Sequence, residues 1–384
     1  WGVVLVAVVL MLVARPVALT IATNVVVLWI AQLGLIFYAV LWLATTINAL
    51  SLARIVRASP RARGPLAGFV ALSLVLAVGG TGWAAWATGI GRDTLGSVFA
   101  GGFIEPPIDG RYTVLLLGGD AGPDRIGLRP DSISLASVDA GTGAVTMIGI
   151  PRNLYNAPFS EDSALWEEWP TGFDCGDECL VSYLYPWAEE HPELYPRAER
   201  DGSTPGIEAM KDAVEGITGL PVQYTVLIDM QGFAQLIDAL GGVVVDVEEP
   251  VTMAINGGRI EGVIEAGEQR MDGYTALWYA RSRYNMTDFQ RMEHQRQIQE
   301  AILRQIEPAT VLTRFESIAN AGTQVVRTDI PQSMLGVLTD LAAKSRELPI
   351  TDVELIPPTI DNVYPDFELA RSLVQDAIAP EPTE

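Results

Sequence analysis

Three short segments of this 384-residue chain place arginine, in two of them with aspartate, in ways that could bind phosphate. The first runs Gly118-Gly119-Asp120 and continues through Arg125 and Arg129 to Asp131-Ser132. The second is Ile150-Pro151-Arg152-Asn153-Leu154-Tyr155. The third is Tyr279-Ala280-Arg281-Ser282-Arg283, followed by Asp288, Arg291 and Gln295. Guanidinium forks suit phosphate because two parallel, charge-assisted hydrogen bonds match two phosphate oxygens. Asp120 and Asp131 flank one loop and could share a hard cation, Mg2+ or Mn2+, with water and phosphate completing its shell. The glycine pair would let a ligand approach the backbone closely. Asp288, Arg291 and Gln295 fall at spacings of three and four, on one helix face. Spacing alone leaves two readings open. Arg129, Arg152, Arg281, Arg283 and Arg291 could converge on a pyrophosphate bound with a metal, or they could form surface ion pairs on an acidic protein.

The remaining reactive residues offer less. His191 lies between Glu190 and Pro192 in an acidic stretch, and nothing marks it as the base of a nucleophile. His294 sits in the arginine-rich helix, where contact with phosphate and a plain helix-surface position are both open. Cys175 and Cys179 would close a small disulfide loop outside the cell. A metal site there would need further soft ligands, and the chain has only two histidines.

Each arginine segment adjoins an apolar run that should be a strand. Strands are expected over Tyr112–Leu117, Ser132–Val138, Ala144–Ile150, Gln223–Ile228 and Val243–Val247, and near Asp352–Ile356. Helical spacing marks Thr204–Gly216, Phe233–Leu240, Gly273–Tyr279, Asp288–Ile306, Ser333–Ser345 and Asp366–Ile378. Asn256-Gly257 is a hairpin signal. The alternation predicts an α/β or α+β domain.

Charge divides the chain unevenly. Residues 1–104 hold six arginines and one acid, a sum of +5, and the remaining 280 residues sum to −27. So acidic a domain would repel a polyphosphate duplex over most of its surface, which argues against nucleic-acid binding. No charge interrupts residues 16–53, and a bilayer span needs about 20 apolar residues. Spans are expected near Asn24–Leu50 and over Leu66–Ile90. The first 14 residues are too short to cross and read as the end of a truncated earlier helix, so the chain reads as a fragment. The Arg-rich loop 51–65 should stay in the cytoplasm, which puts everything after Arg92 outside and makes the protein a multi-pass membrane protein with an extracellular domain. No span carries the buried acid or base that transport would need, so the helices read as an anchor. Residues 91–110, rich in Gly and Pro, would form an extracellular linker, leaving 111–384 as the extracellular domain.

At these residues the sequence resembles the LytR-CpsA-Psr family. The resemblance rests on the Gly-Gly-Asp strand end, Arg129-Pro130-Asp131-Ser132, the Ile150–Tyr155 segment, and Tyr279–Arg283 through Arg291 and Gln295. It also takes in Asp229-Met230-Gln231-Gly232-Phe233 and Asp238–Val243, and covers roughly residues 111–306. It implies a membrane-anchored extracellular phosphotransferase that moves a glycopolymer from a polyprenyl-pyrophosphate carrier onto peptidoglycan, forming a phosphodiester link. It further implies a three-layer α/β/α fold around a mixed sheet, with a greasy channel for the polyprenyl tail. By resemblance Asp120 and Asp131 hold Mg2+, while Arg129, Arg152, Arg281, Arg283, Arg291 and Gln295 contact the pyrophosphate. The family often has Asp where this chain has Asn153, and Arg where it has His294. Two other activities suit the same site: hydrolysis of the lipid pyrophosphate, or non-catalytic sensing of polyprenyl phosphates.

Overall fold

The computed structural model describes residues 24–53, 60–98, 104–120, 128–176, 178–255, 259–305 and 326–379. The first 14 residues, Arg125 and the Asn256-Gly257 turn lie outside the described residues, as does the Asp120 side chain. The chain divides into two compact units, Trp1–Ser97 and Val98–Glu384.

The first unit is helical. Helix α1 spans Val25–Ala53, and the Asn24 side-chain oxygen accepts from the amides of Val26 and Val27. Asn24 thereby satisfies two of the four amides that every helix start leaves open. Helix α2, Pro60–Leu74, passes through a π-helical turn at Val75–Gly79 into α3, Gly80–Val98. Within these helices Val26–Ser51 and Ala67–Ile90 are long and apolar enough to cross a membrane. Helix α3 runs on to Val98 because no proline interrupts it, so it takes up eight residues of the stretch expected to be linker.

The second unit is built on six strands: β1 (Arg111–Asp120), β2 (Arg129–Asp139), β3 (Val145–Ile150), β4 (Tyr224–Asp229), β9 (Val326–Thr328) and β10 (Ile350–Glu354). They are ordered β10-β3-β2-β1-β4-β9. The β1–β2, β2–β3 and β4–β9 pairs are antiparallel, and β1–β4 and β3–β10 are parallel, so the sheet is mixed. One short helix, α4, covers Leu165–Glu168. Helices α5 (Val181–Glu189), α6 (Pro205–Thr218) and α11 (Phe367–Ile378) pack against one face through a core that includes Leu115, Leu135, Ile148, Leu184 and Val214.

The other face meets α7 (Met230–Leu240), α8 (Gly273–Arg281), α9 (Asp288–Gln305) and α10 (Leu335–Ser345), completing a three-layer α/β/α architecture. Two small antiparallel pairs complete this side: β5 (Val243–Val247) with β8 (Gly267–Met271), and β6 (Val251–Ile255) with β7 (Arg259–Ile264). The latter flank the expected hairpin turn.

Helix α5 was not legible in the sequence. Its Val-Ser-Tyr-Leu-Tyr-Pro-Trp run carries Pro186 inside the helix, where proline removes a hydrogen bond, and packing of Val181, Leu184, Tyr185 and Ala188 outweighs that loss.

Candidate functional site

The antiparallel ladder of β1 and β2 has a bulge: Gly118 faces Ser132 and Gly119 faces Pro130, so Asp131 has no partner across the strand. A bulge re-aims side chains, and here consecutive residues Asp131 and Ser132 both line one cavity, which a regular strand would forbid. The bulge also releases the Asp131 carbonyl from the ladder. Arg291 Nη1 donates to that carbonyl at 2.9 Å.

Arg291 is 2% exposed, the largest side chain among those fully buried. Its Nε and Nη2 donate to Asp288 Oδ1 at 3.2 and 3.0 Å, so each of its three nitrogens already serves a protein acceptor. Asp288 stands in the first turn of α9, whose start is set by a reciprocal pair: Gln290 N donates to Thr287 Oγ1 and Thr287 N to Gln290 Oε1. The other Asp288 oxygen accepts from Arg152 Nε at 3.2 Å, and Arg152 Nη1 reaches Asp131 Oδ1 at 2.5 Å. Arg283 Nη2 lies 3.7 Å from Asp131 Oδ2. Five of the sequence-identified charges therefore form one network: Arg152, Arg283 and Arg291 around Asp131, with Asp288 closing it.

Burial alone would weaken charge in this network, but the partners decide the outcome. Burial acts to raise the Asp288 pKa, and Arg291 and Arg152 more than offset it, holding its carboxyl below the usual range. An ionised, paired Asp288 is a poor proton acceptor. Burial opposes the Arg152 charge, and Asp131 and Asp288 outweigh it, so its pKa is raised. Arg283 goes the other way: burial, then the neighbouring charges of Arg152 and Arg291, lower its pKa. A cation disfavoured by its surroundings is one that an added anion would stabilise.

Arg281 ends α8, Ser282 is pinned by its hydroxyl donating to Thr252 O at 2.7 Å, and Arg283 follows. Both arginines are exposed, and both line the cavity together with Arg291 and Gln295. The Gln295 amide donates to Ala280 O at 3.1 Å, tying α9 to α8. Arg129 stands apart from this lining. Its guanidinium lies over the Tyr183 ring of α5, 4.8 Å from the centroid, and its buried Nε has no hydrogen-bond partner among the described residues.

The cavity encloses about 830 Å³, within the size range of small-molecule sites. From the charged rim it runs between the sheet and helices α7 to α10 over Leu116, Val226, Phe233, Ile298 and Leu338. Gly118 and Gly119 form part of its wall. The rim is cationic and the depth apolar.

The donor set for a cation is small. Among the described residues no three His, Cys, Asp or Glu side chains are grouped so as to hold a metal ion by themselves. Mg2+ commonly binds one or two carboxylates and takes its remaining oxygens from water and substrate phosphate. Asp131, with Asp120 opposite Arg129 across the β1–β2 ladder, fits that habit.

Other sequence-identified residues lie elsewhere. His294 stacks on Tyr279 with ring centroids 4.1 Å apart, its Nδ1 3.2 Å from Tyr279 O. Burial lowers its pKa, which favours the neutral ring. His191 stacks on Trp187. Cys175 and Cys179 are bonded, with Cα atoms 5.2 Å apart. Sequence reading missed the Tyr183 platform and a second cluster around Arg296 and Glu354. For Arg296 a signal existed in its place within the arginine-rich run of α9.

The LytR_cpsA_psr family model matches residues 104–365. A polyisoprenyl-teichoic acid–peptidoglycan teichoic acid transferase TagU from Halalkalibacterium halodurans is 26% identical over 270 residues, which is 68% of this chain and 76% of that protein. The TagU of Enterococcus faecalis is 25% identical over 57% of this chain and 61% of its own length. Among solved structures, Bacillus subtilis TagV superposes with a TM-score of 0.49 at 20% identity, covering 72% of this chain and all of that one. TagT bound to LI-WTA gives 0.48 at 19% identity, over 71% of this chain and 92% of that one.

Proposed function

The chain belongs to the LytR_cpsA_psr family, and on that footing we propose that it transfers a glycopolymer from a polyprenyl-pyrophosphate carrier to peptidoglycan, leaving a phosphodiester link. The supporting observation is the cavity: an apolar tunnel that opens onto Arg281, Arg283, Arg291 and Asp131. That division matches an amphipathic ligand with a long hydrocarbon chain and an anionic head. The relatives named as teichoic acid–peptidoglycan transferases point to the same class of donor and acceptor. The long apolar helices α1 and α2–α3 would anchor the enzyme in the bilayer that holds such a carrier, with the domain on the outer side.

In this reading the carrier's hydrocarbon lies along Leu116, Phe233 and Ile298, and its pyrophosphate meets Arg281 and Arg283. Arg152 and Arg291 brace Asp131 and Asp288. Phosphoryl transfer asks mainly for positioning and charge neutralisation, which suits a site dominated by arginine and aspartate. A hydroxyl of the acceptor attacks the phosphorus attached to the glycan, and polyprenyl phosphate departs. Asp120 and Asp131 would hold Mg2+, which, when bound, supplies further neutralisation of the phosphate oxygens.

The test is transfer by the full chain in detergent, given a polyprenyl-pyrophosphate-linked oligosaccharide with and without peptidoglycan fragments. Glycan should become attached to peptidoglycan, and release of polyprenyl phosphate should depend on the acceptor. Equal release without acceptor would replace transfer with hydrolysis.

A further inference from the structure

Behind the rim lies a second, smaller chamber of about 10 Å³, room for a single water. Its lining includes Asp131, Ser132, Gly149, Gln295, Arg296 and Glu354, so it shares Asp131, Ser132 and Gln295 with the large cavity. Two of these residues carry buried polar atoms without a hydrogen-bond partner among the described residues, Arg296 Nε and Glu354 Oε2. Arg296 Nε is 3.3 Å from Glu354 Oε1, close enough for an ion pair but not aligned as a hydrogen bond. Orphaned polar atoms beside a water-sized, polar void are the usual signature of an ordered water.

The seat of Glu354 is built into the sheet. Gly149 lies inside β3, where glycine weakens a strand and marks a close approach. A Cβ there would stand 2.8 Å from Glu354 Cδ and also collide with both carboxylate oxygens. On β10 the side chains of Ile350, Asp352 and Glu354 alternate onto the cavity side. From α9, Arg296 Nη1 reaches Asp352 at 2.9 Å and Glu300 at 3.4 Å, and its Nη2 lies 3.7 Å from Glu293. One cation thus faces four carboxylates.

We propose that Glu354 accepts the proton released at the reacting hydroxyl, through a water held in this chamber between it and the rim. The inference rests on the phosphotransfer reading and adds the group that reading lacks, since Asp288 is committed to two arginines. The balance is simple. The acceptor's O–H bond breaks as its oxygen bonds to phosphorus, the bond from phosphorus to the polyprenyl phosphate breaks, and the hydroxyl proton passes by way of the water to the Glu354 carboxylate. Burial, with Asp352 and Glu293, outweighs Arg296 and pushes Glu354 up to about 7. The charged groups facing it are Arg296, Glu293 and Glu300 from α9, Asp352 from β10 and, across the chamber lining, Asp131 from β2. An acceptor with a pKa near the operating pH is efficient.

The experiment is the pH dependence of kcat for the full chain in detergent, with the lipid-linked oligosaccharide and peptidoglycan fragments as substrates. The unmodified enzyme should show kcat rising with pH through about 7 as Glu354 deprotonates. Glu354→Gln, the neutral isostere, should lower kcat about 100-fold or more, flatten that rise and leave the KM for the donor unchanged. Glu354→Asp keeps a carboxylate and should retain a displaced rise. A Glu354→Gln enzyme with unaltered kcat and the same rise overturns the proposal, as does a Glu354→Asp enzyme whose rise is absent. If the unmodified chain transfers nothing, the phosphotransfer reading fails instead.

Discussion

Leu115, Ile133, Leu135, Ile148 and Ile150 project from β1, β2 and β3 into a packed layer against α5, α6 and α11. Leu116, Ala136, Val138, Val145 and Met147, their neighbours on the same strands, line the cavity instead. The two sets are equally apolar, yet one face is filled and the other is hollow. The difference lies in the helices opposite. Helices α5 and α6 bring small and medium residues (Ala188, Ala209, Ala213, Val214) close to the sheet, whereas α7 to α10 stand off around the cavity. Protein interiors close over such voids unless something else occupies them, so the hollow face reads as a site.

The comparison can be broken most severely at the rim of the hollow face. Replacing Arg283 with Lys keeps the charge but removes the fork, and loss of an arginine that stabilises the transferred phosphoryl group costs on the order of 10³ in rate. The transfer assay should show that loss while the melting temperature stays near that of the unmodified protein. A near-normal rate would remove bidentate phosphate contact from the account. A paired experiment on adjacent residues of β2 sharpens the contrast. Leu135→Ala, on the filled face, should lower unfolding free energy by about 2–5 kcal/mol in a denaturant titration. Ala136→Phe, on the hollow face, should leave stability within about 1 kcal/mol, because its volume is vacant. It should also weaken binding of the lipid-linked donor about tenfold or more. Equal stability losses at the two positions would mean that the faces do not differ.

The smallest effect concerns pH. The Asp288 pKa is held below its unfolded value of about 3.9. Its contribution to stability is therefore complete above about pH 4 and is lost as pH falls through the depressed value. Asp288→Asn should flatten the acid side of a plot of melting temperature against pH, and an unchanged acid slope would count against the ion-pair network.

Much of the scaffold could be read from the sequence. The three arginine segments were visible because charge breaks sharply into apolar runs, and β5 has the expected bounds, Val243–Val247. The hollow was not visible. Runs such as Tyr112–Leu117 are apolar on both faces of the strand, and nothing in them says which face meets a packed helix. Glu354 and Arg296 were overlooked for a related reason: their proximity depends on β10 pairing with β3, about 200 residues away in the chain. Asp131 is legible as a candidate ligand, but its place in a bulge depends on register with β1, which no local pattern encodes.

That bulge makes strand length matter as well as composition. Asp131 is a spare rung. Excising it would leave Arg129 opposite Asp120 and Ser132 opposite Gly118, so the ladder would run straight on without interruption. Excision would also strip the sealed Arg291 of its 2.9 Å carbonyl partner. Exchanging the same residue for another would preserve that carbonyl and the kink. A single-codon deletion and a point mutation at this position would therefore harm the protein in different ways, the first by straightening the frame around Arg291 and the second by removing only a carboxylate.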